Sequence, residues 1–294
     1  MHRLLQNLKI HLEYAGFRTV AAIVRLLPVG VASNASAWVW RQVAPFTPRH
    51  KRALAAIGGA FPDKDQAWRR ARIHEMWDNL GRVFAESFHL ERIIAEDRVV
   101  YDYDPEIPAL VGETPRFVAT APHLGNWETG ATVGPELGAA VCGIYQRVHN
   151  PLINEYIHSL RLPLYQAGLF AKRADAGRKV IGAMRAGASL VTMGDLRDWG
   201  GPSVPFFGKP APSNTFPALM ARMFNAPLLA GVVVRAPEGN DKVRFRVTVV
   251  PIPVPRTSDR DADVLAATAA LQQQFEAFVR EHPGQWMWAH RRWG

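Results

Sequence analysis

The chain has one cysteine, Cys142, so it can form no internal disulfide and has no cysteine cluster to hold a structural zinc. A reducing compartment is the simple expectation. Ten histidines are present, yet none falls into a His-x-His or His-Glu-x-x-His spacing, which argues against a metal-dependent hydrolase. No short apolar run leads into a cleavage site at the N-terminus, so no secretory signal is expected. Internal repeats, low-complexity tracts and linkers rich in Gly, Ser or Pro are also missing. The chain therefore reads as one domain over 1–294, with about 1–45 as an N-terminal helical segment. Acidic residues are in deficit: 26 Asp and Glu against 35 Lys and Arg leave a net charge of +9. Such a balance favours anionic partners. The arginines are scattered instead of gathered into a nucleic-acid-binding module, so nucleic acid is not the expected partner. A basic anion-binding protein without catalysis stays as the alternative class.

At 294 residues, 48% of them hydrophobic, the chain is long enough to bury a sizeable core. Leu4, Leu5, Leu8 and Leu12 recur at helical spacing with Arg3, Lys9 and Arg18 about them, a basic amphipathic pattern suited to a membrane surface. From Thr19 to Trp40 the only charge is Arg25. Pro28, Gly30, Ser33, Asn34 and Ser36 interrupt that stretch, so interfacial docking is expected over a full span. The alternative is a pair of core helices capped by surface arginines.

From Pro48 to Ala95 the pattern is helical. Trp68, Ile73, Trp77, Leu80, Phe84 and Phe88 recur at steps of three to five, and Asp63 or Asp65 supplies the cap. Apolar runs then follow at 116–121, 139–146, 188–194, 226–236 and 242–254, with helical patterns between them. That alternation predicts an α/β fold: a mainly parallel central sheet flanked by helices. A last amphipathic helix is expected from Ala262.

The run at 119–130 reads ATAPHLGNWETG. His123 follows a strand and Pro122, and Glu128 stands five residues on. In a regular helix that spacing separates side chains by about 140°. The two can meet only if the chain turns from strand to helix between them. Glu128 would then hold one ring nitrogen of His123 and leave the other to take a proton from a hydroxyl. Amides near Gly125 and Asn126 are candidates for an oxyanion site. A histidine that merely bonds locally at a strand end is the competing reading.

Further blocks accompany this one: MWDNLGRVFAE at 76–86, IYQRVHNPLINEYIHSLR at 144–161, MGDLRDWGGPSVPFFGKPA at 193–211 and PGQWMWAHRRW at 283–293. With APHLGNWE, in this order, the chain resembles the lipid A biosynthesis (lauroyl/myristoyl) acyltransferases, relatives of the glycerolipid acyltransferases that carry His-x4-Asp/Glu. The likeness covers nearly the whole chain. It implies a glycerolipid acyltransferase-like fold, His123 as general base and Glu128 as its partner. Arg147 would face a phosphate or the acyl carbonyl, or else form a surface salt bridge. Asp195 and Asp198 would orient Arg147 or Arg197, or pair with local arginines. Phe206 and Phe207 would line an acyl groove, or pack in the core. Arg291 and Arg292 would meet lipid phosphates, or form a solvated tail. Asn150 would cap a helix. Asn225 stands where the family has a glycine, and it tolerates the same left-handed helix end. Ala230 and Gly231 replace a family proline, which bears on strand-end detail only.

The resemblance further implies transfer of a fatty acyl chain from acyl carrier protein, or coenzyme A, to a hydroxyl of an anionic glycolipid. No cofactor and no metal are implied, the acyl donor being a co-substrate. The cytoplasmic face of the inner membrane is the implied location. Another glycolipid or a glycerophospholipid is the alternative acceptor.

Overall fold

The computed structural model describes residues 2–113, 115–236 and 244–293. The side chains of Arg3 and Leu4, and all of Lys242 and Val243, lie outside the described residues. Two helices open the chain, α1 (His2–Leu26) and α2 (Val29–Val43), separated at Pro28. Proline lacks the amide a continuing helix needs, so the apolar stretch breaks into two helices. No helix among the described residues is long and apolar enough to cross a membrane.

Helices α3 (Pro48–Ala60), α4 (Gln66–Glu86) and α5 (Leu90–Ala95) follow. Asp65 caps α4, its carboxylate accepting from the Trp68 amide at 2.7 Å. Helix α4 lies close against α2, with Gly81 at the closest approach. A Cβ there would sit 2.8 Å from the Ala37 Cα. The Ser36 hydroxyl donates to the Gly81 carbonyl at 2.6 Å across the same contact.

The α/β part contains β1 (Val99–Tyr103), α6 (Glu106–Val111), β2 (Val118–Ala121), α7 (Val133–Glu136), β3 (Val141–Tyr145), α8 (Pro151–Arg161), β4 (Gly168–Ala171), α9 (Ala176–Arg185) and β5 (Ser189–Met193). A hairpin of β6 (Ser203–Phe206) and β7 (Lys209–Pro212) comes next. It is followed by α10 (Phe216–Met223), β8 (Leu228–Arg235), β9 (Phe245–Ile252) and α11 (Arg260–Glu281). Among the described residues the main sheet runs β1-β9-β8-β2-β5-β3-β4. All its pairings are parallel except β8 with β9. The expected mainly parallel sheet with flanking helices and an N-terminal helical region is present. Ala230 and Gly231 sit inside β8, paired with Val250 and Val249. Asn225 adopts φ 52° at the end of α10, the left-handed conformation foreseen for it.

One core lies between the sheet, α10, α11 and the C-terminal segment. It holds Phe206, Phe207, Phe275, Trp286 and Trp288. The rings of Trp286 and Trp288 meet edge to face at 4.5 Å. Burial of such rings is the main stabilising term here, at roughly 25 cal/mol per Å² of apolar surface.

Candidate active site

Strand β2 ends at Ala121, and Pro122 stops the ladder just before His123. Its neighbour β5 ends at Met193, and the Gly194 amide still pairs with the Ala121 carbonyl at 3.0 Å. Adjacent parallel strands therefore deliver His123 and Asp195 to the same edge of the sheet. Ligand sites in open α/β sheets gather at this carboxyl edge.

Asp195 is fully buried and accepts three hydrogen bonds. His123 Nδ1 meets Oδ1 at 2.7 Å, while the His123 backbone amide and Trp286 Nε1 both donate to Oδ2 at 2.8 Å. Burial drives the Asp195 carboxyl upward, but the His123 ring, its hydrogen bonds and the charge of His290 outweigh that, and the group lies well below the usual carboxylate range. A carboxylate only accepts, so the proton of a neutral His123 sits on Nδ1. Nε2 then carries the lone pair, and it makes no hydrogen bond among the described residues.

The loop after His123 is held from several sides. Gly125 has φ 58°, and a Cβ there would fall 1.8 Å from the Val233 carbonyl, so only glycine fits. The C-terminal segment runs back along this loop. Leu124 pairs with Trp286, the Gly125 amide donates to the Gln285 carbonyl at 3.1 Å, and the Met287 amide donates to the His123 carbonyl at 3.0 Å. Asn79 on α4 donates to the Gly125 and Gln285 carbonyls at 2.9 and 3.2 Å. Below them Glu86, fully buried, binds Arg235 in a two-pronged pair at 2.7 and 2.8 Å. It also accepts from Ser33 at 2.7 Å and from Asn126 at 2.9 Å. A buried charge pair is tolerated when its remaining lone pairs are filled in this way. The blocks at 76–86 and 283–293 thus clamp the His123 loop. Glu86, Asn79, Arg235 and Trp286 were not singled out from the sequence. Their partners lie up to 206 residues away along the chain.

Several expectations need correction. Glu128 does not hold His123. Residues 127–132 form a 3-10 helix, and Glu128 there pairs through both carboxylate oxygens with Arg161 at the end of α8. Burial pulls the Arg161 guanidinium down, but Glu128 outweighs it and the net shift is upward. The Trp127 ring stands beside the imidazole, at 5.2 Å between centroids. The role expected of Glu128 falls to Asp195, which was expected to orient Arg147 or Arg197 or to pair with a local arginine. The turn from strand to helix between the two residues is as foreseen.

The Gly125 amide is already committed to Gln285, so it is not an oxyanion donor. The Asn126 side chain is buried against Glu86, although its backbone amide makes no hydrogen bond among the described residues. Arg147 is exposed in the loop after β3, with no carboxylate partner among the described residues. Asp198 accepts from the Gly200 amide at 3.2 Å and orients neither Arg147 nor Arg197. Arg197 lies over the Trp199 ring and donates to the Trp293 carbonyl. Phe206 and Phe207 take the core alternative. They are buried against Trp286, Trp288 and Trp293. Arg292 is buried too and donates to the Pro212 carbonyl, Ser213 and Gln272. Burial lowers its guanidinium to about 10, against the pull of Asp195. Asn150 caps α8 as expected, accepting from the Leu152 and Ile153 amides, and its amide group ties α1 through Ile10 and Glu13.

Trp127, whose ring stands beside the imidazole, borders two spaces. An apolar cavity lies between the sheet and the 127–132 turn, lined by Ala121, Ile144, Tyr165, Met193 and Val233. An open cleft of about 530 Å³ lies on the other side, among α2, α4 and the C-terminal segment.

Fold and site together define an α/β enzyme that carries an anchored histidine at the carboxyl edge of its sheet, held there by a buried carboxylate from the neighbouring strand's end. The chain belongs to the bacterial lipid A biosynthesis acyltransferase family, whose model matches residues 2–294. It is an acyltransferase, and the chemistry it performs is acyl transfer to a lipid. Among solved structures it is similar to the 1-acyl-sn-glycerophosphate (LPA) acyltransferase PlsC from Thermotoga maritima. That likeness has 13% identity and a TM-score of 0.41 over 86% of this chain and 97% of that one. A comparison with curated protein sequences found no match.

Proposed function

We propose that the chain moves a fatty acyl group from acyl carrier protein, or from coenzyme A, to a hydroxyl of a lipid A precursor, with His123 as the base. The observation that carries this reading is the anchoring of His123 Nδ1 by a buried, strongly acidic Asp195. The acceptor hydroxyl gives its proton to Nε2 while its oxygen attacks the thioester carbonyl. Negative charge collects on the carbonyl oxygen, and the Asn126 amide is the nearby donor for it. The carbon–sulfur bond then breaks, and the imidazolium returns its proton to the leaving thiolate. An ester and a free thiol result, with no covalent acyl-enzyme. Asp195 balances the imidazolium charge throughout, at a site where burial magnifies the interaction. Glu128 acts through Arg161, fixing the turn that carries Trp127.

The two N-terminal helices support work at an anionic lipid surface. Leu5, Leu8, Leu12, Val20, Ile23 and Leu26 are all exposed, and their spacing puts them on one face of α1. Trp38 and Val39 on α2, with Phe46 beyond it, extend the exposed apolar surface. In this proposal the enzyme docks to the cytoplasmic face of the inner membrane without crossing it. Replacing Leu8 and Leu12 by Glu weakens sedimentation with anionic vesicles; unchanged sedimentation removes the docking claim.

The reaction is tested with purified protein, radiolabelled acyl-acyl carrier protein or acyl-CoA, and a panel of acceptors. Product on the lipid A precursor, exceeding that on a lysophosphatidic acid or another glycolipid, supports the reading. Product confined to the lysophosphatidic acid transfers the assignment to glycerophospholipids, and no product on any acceptor overturns it.

A further inference from the structure

The loop that follows Asp195 holds a large apolar ring out of the fold. Trp199 is 70% exposed, and Leu196 beside Asp195 is 43% exposed. The loop is nevertheless tightly bonded. The Asp198 amide donates to the Pro212 carbonyl at 3.2 Å, the Gly201 amide to the Asp198 carbonyl at 3.1 Å and the Ser213 amide to the Pro202 carbonyl at 2.9 Å. Arg197 donates to the Trp293 carbonyl at 2.9 Å, and its guanidinium lies 3.8 Å from the centre of the Trp199 ring. At Gly201 a Cβ would fall 1.9 Å from the Ser213 carbonyl, so the turn closes only on glycine. A rigid turn that presents an exposed tryptophan has its ordering cost met before any partner arrives, which marks it as a contact surface.

The sheet places this turn. Strand β5, which ends just before it, lies between β2 and β3. The turn therefore leaves the carboxyl edge between the His123 loop and the loop after β3, where Arg147 and Val148 are exposed. Lys172 and Arg173, exposed after β4, continue the same edge. Helix α1 borders it as well: the Asn150 side chain donates to the Ile10 carbonyl at 2.9 Å and to Glu13 at 3.1 Å. The exposed Leu5, Leu8 and Leu12 of α1 thus share one end of the molecule with Leu196, Trp199 and the exposed cations.

We infer that the turn at 196–199 is a second membrane contact, separate from the N-terminal helices: Trp199 and Leu196 enter the headgroup layer of an anionic bilayer, and the carboxyl edge of the sheet faces the lipid. The inference rests on the reading that the chain works at a lipid surface. Tryptophan suits that layer because its ring is apolar while its N–H stays wet. Arg197, stacked on the ring, brings a cation to the depth of the lipid phosphates, and Arg147, Lys172 and Arg173 add charge of the same sign. Two contacts on one end fix the orientation of the enzyme where a single helix pair would leave it free to tilt. A lipid hydroxyl then meets His123 without leaving the bilayer surface.

The contact is read directly by labelling the full chain carrying Trp199→Cys with an environment-sensitive fluorophore. Labelling is selective, because Cys142 is the one native cysteine and is buried, with burial pushing its thiol up to about 11. Vesicles of phosphatidylcholine and phosphatidylglycerol shift the emission to the blue, and brominated lipids in them quench it. Trp199→Ser weakens sedimentation with the same vesicles about tenfold, the scale set by taking one large apolar side chain out of water. It raises the KM for an acceptor carried in vesicles by a similar factor and leaves transfer to a monomeric short-chain acceptor unchanged. A fluorophore that stays silent while the protein sediments with vesicles overturns the second contact and leaves the N-terminal docking in place. A shift produced by acyl carrier protein without lipid gives the surface to a protein partner and overturns the bilayer assignment. Loss of transfer to the monomeric acceptor in Trp199→Ser also overturns it, because Trp199 then serves the site itself. Blue shift and quenching in a chain that transfers no acyl group leave the contact standing and remove the proposed reaction instead.

Discussion

Asp195→Asn separates charge from shape at the candidate site. Asp195 Oδ2 takes two N–H donors, the His123 amide and Trp286 Nε1, and Oδ1 faces His123 Nδ1. An asparagine must place its carbonyl oxygen where Oδ2 was, because two fixed donors point there. Its NH2 group then faces Nδ1. Nδ1 must accept, the ring proton moves to Nε2, and Nε2 loses the lone pair that takes the hydroxyl proton. All buried polar groups stay paired, so folding stability changes by less than about 1 kcal/mol. Turnover falls by roughly 10³- to 10⁴-fold, the size of effect seen when a carboxylate that fixes a catalytic histidine is neutralised, which is about 4–5 kcal/mol of barrier. Acceptor KM changes little, because Asp195 touches no substrate. The assay is release of free thiol from the acyl donor, with thermal unfolding run beside it. Turnover within threefold of the wild type in a folded D195N protein refutes the tautomer argument. Asp195→Ala is different in kind: it strands three buried donors and destabilises the fold by several kcal/mol at about 1–3 each.

The Glu128–Arg161 pair gives a second prediction. Glu128→Ala leaves a mostly buried guanidinium unpaired and costs about 3–5 kcal/mol of stability, and Arg161→Ala costs a similar amount. The double variant is more stable than the sum of the two losses implies, and a cycle with no coupling in thermal or urea unfolding contradicts the pairing. His290 gives the third. Burial lowers its imidazole to about 4, against the attraction of Asp195 and with help from His123 and Arg292. The unfolded chain therefore binds the proton first. The stability is fully present above the unfolded value near 6.5 and is lost as pH falls toward 4, by up to about 3 kcal/mol. His290→Gln flattens urea-unfolding stability between pH 6.5 and 4 relative to the wild type. An unchanged pH profile shows that this imidazole is not the cause.

The parts of the sheet that were legible are those buried on both faces. β2, β3, β5 and β8 appear as short apolar runs because parallel strands covered by helices need little polar alternation. β1 and β4 escaped: β1 alternates burial along VVYDY at the sheet edge, and β4 is only Gly168–Ala171. The β6–β7 hairpin escaped because its strands carry Pro205, Pro210 and Pro212. His123 was legible because the strand, the proline and the glycine all mark one sharp turn. Its partner was not, because nearness along the chain favours Glu128, whereas Asp195 reaches His123 only when β2 and β5 become neighbours. Strand order is not written in local periodicity. The same limit hid the Glu86–Arg235 pair, 149 residues apart, and the doubled-back C-terminal segment. Of the two readings open for Phe206 and Phe207, groove or core, burial prevails, because an adjacent aromatic pair beside three tryptophans has more to gain from it.

The most direct test of the account is the turnover of His123→Gln with labelled acyl-acyl carrier protein and a lipid A precursor, on protein shown to be folded by circular dichroism. An amide in place of the imidazole cannot accept the hydroxyl proton, so turnover falls by at least about 10²- to 10⁴-fold, the usual contribution of a positioned base. Acceptor binding persists. Transfer at the wild-type rate by the folded variant contradicts the claim that His123 is the base.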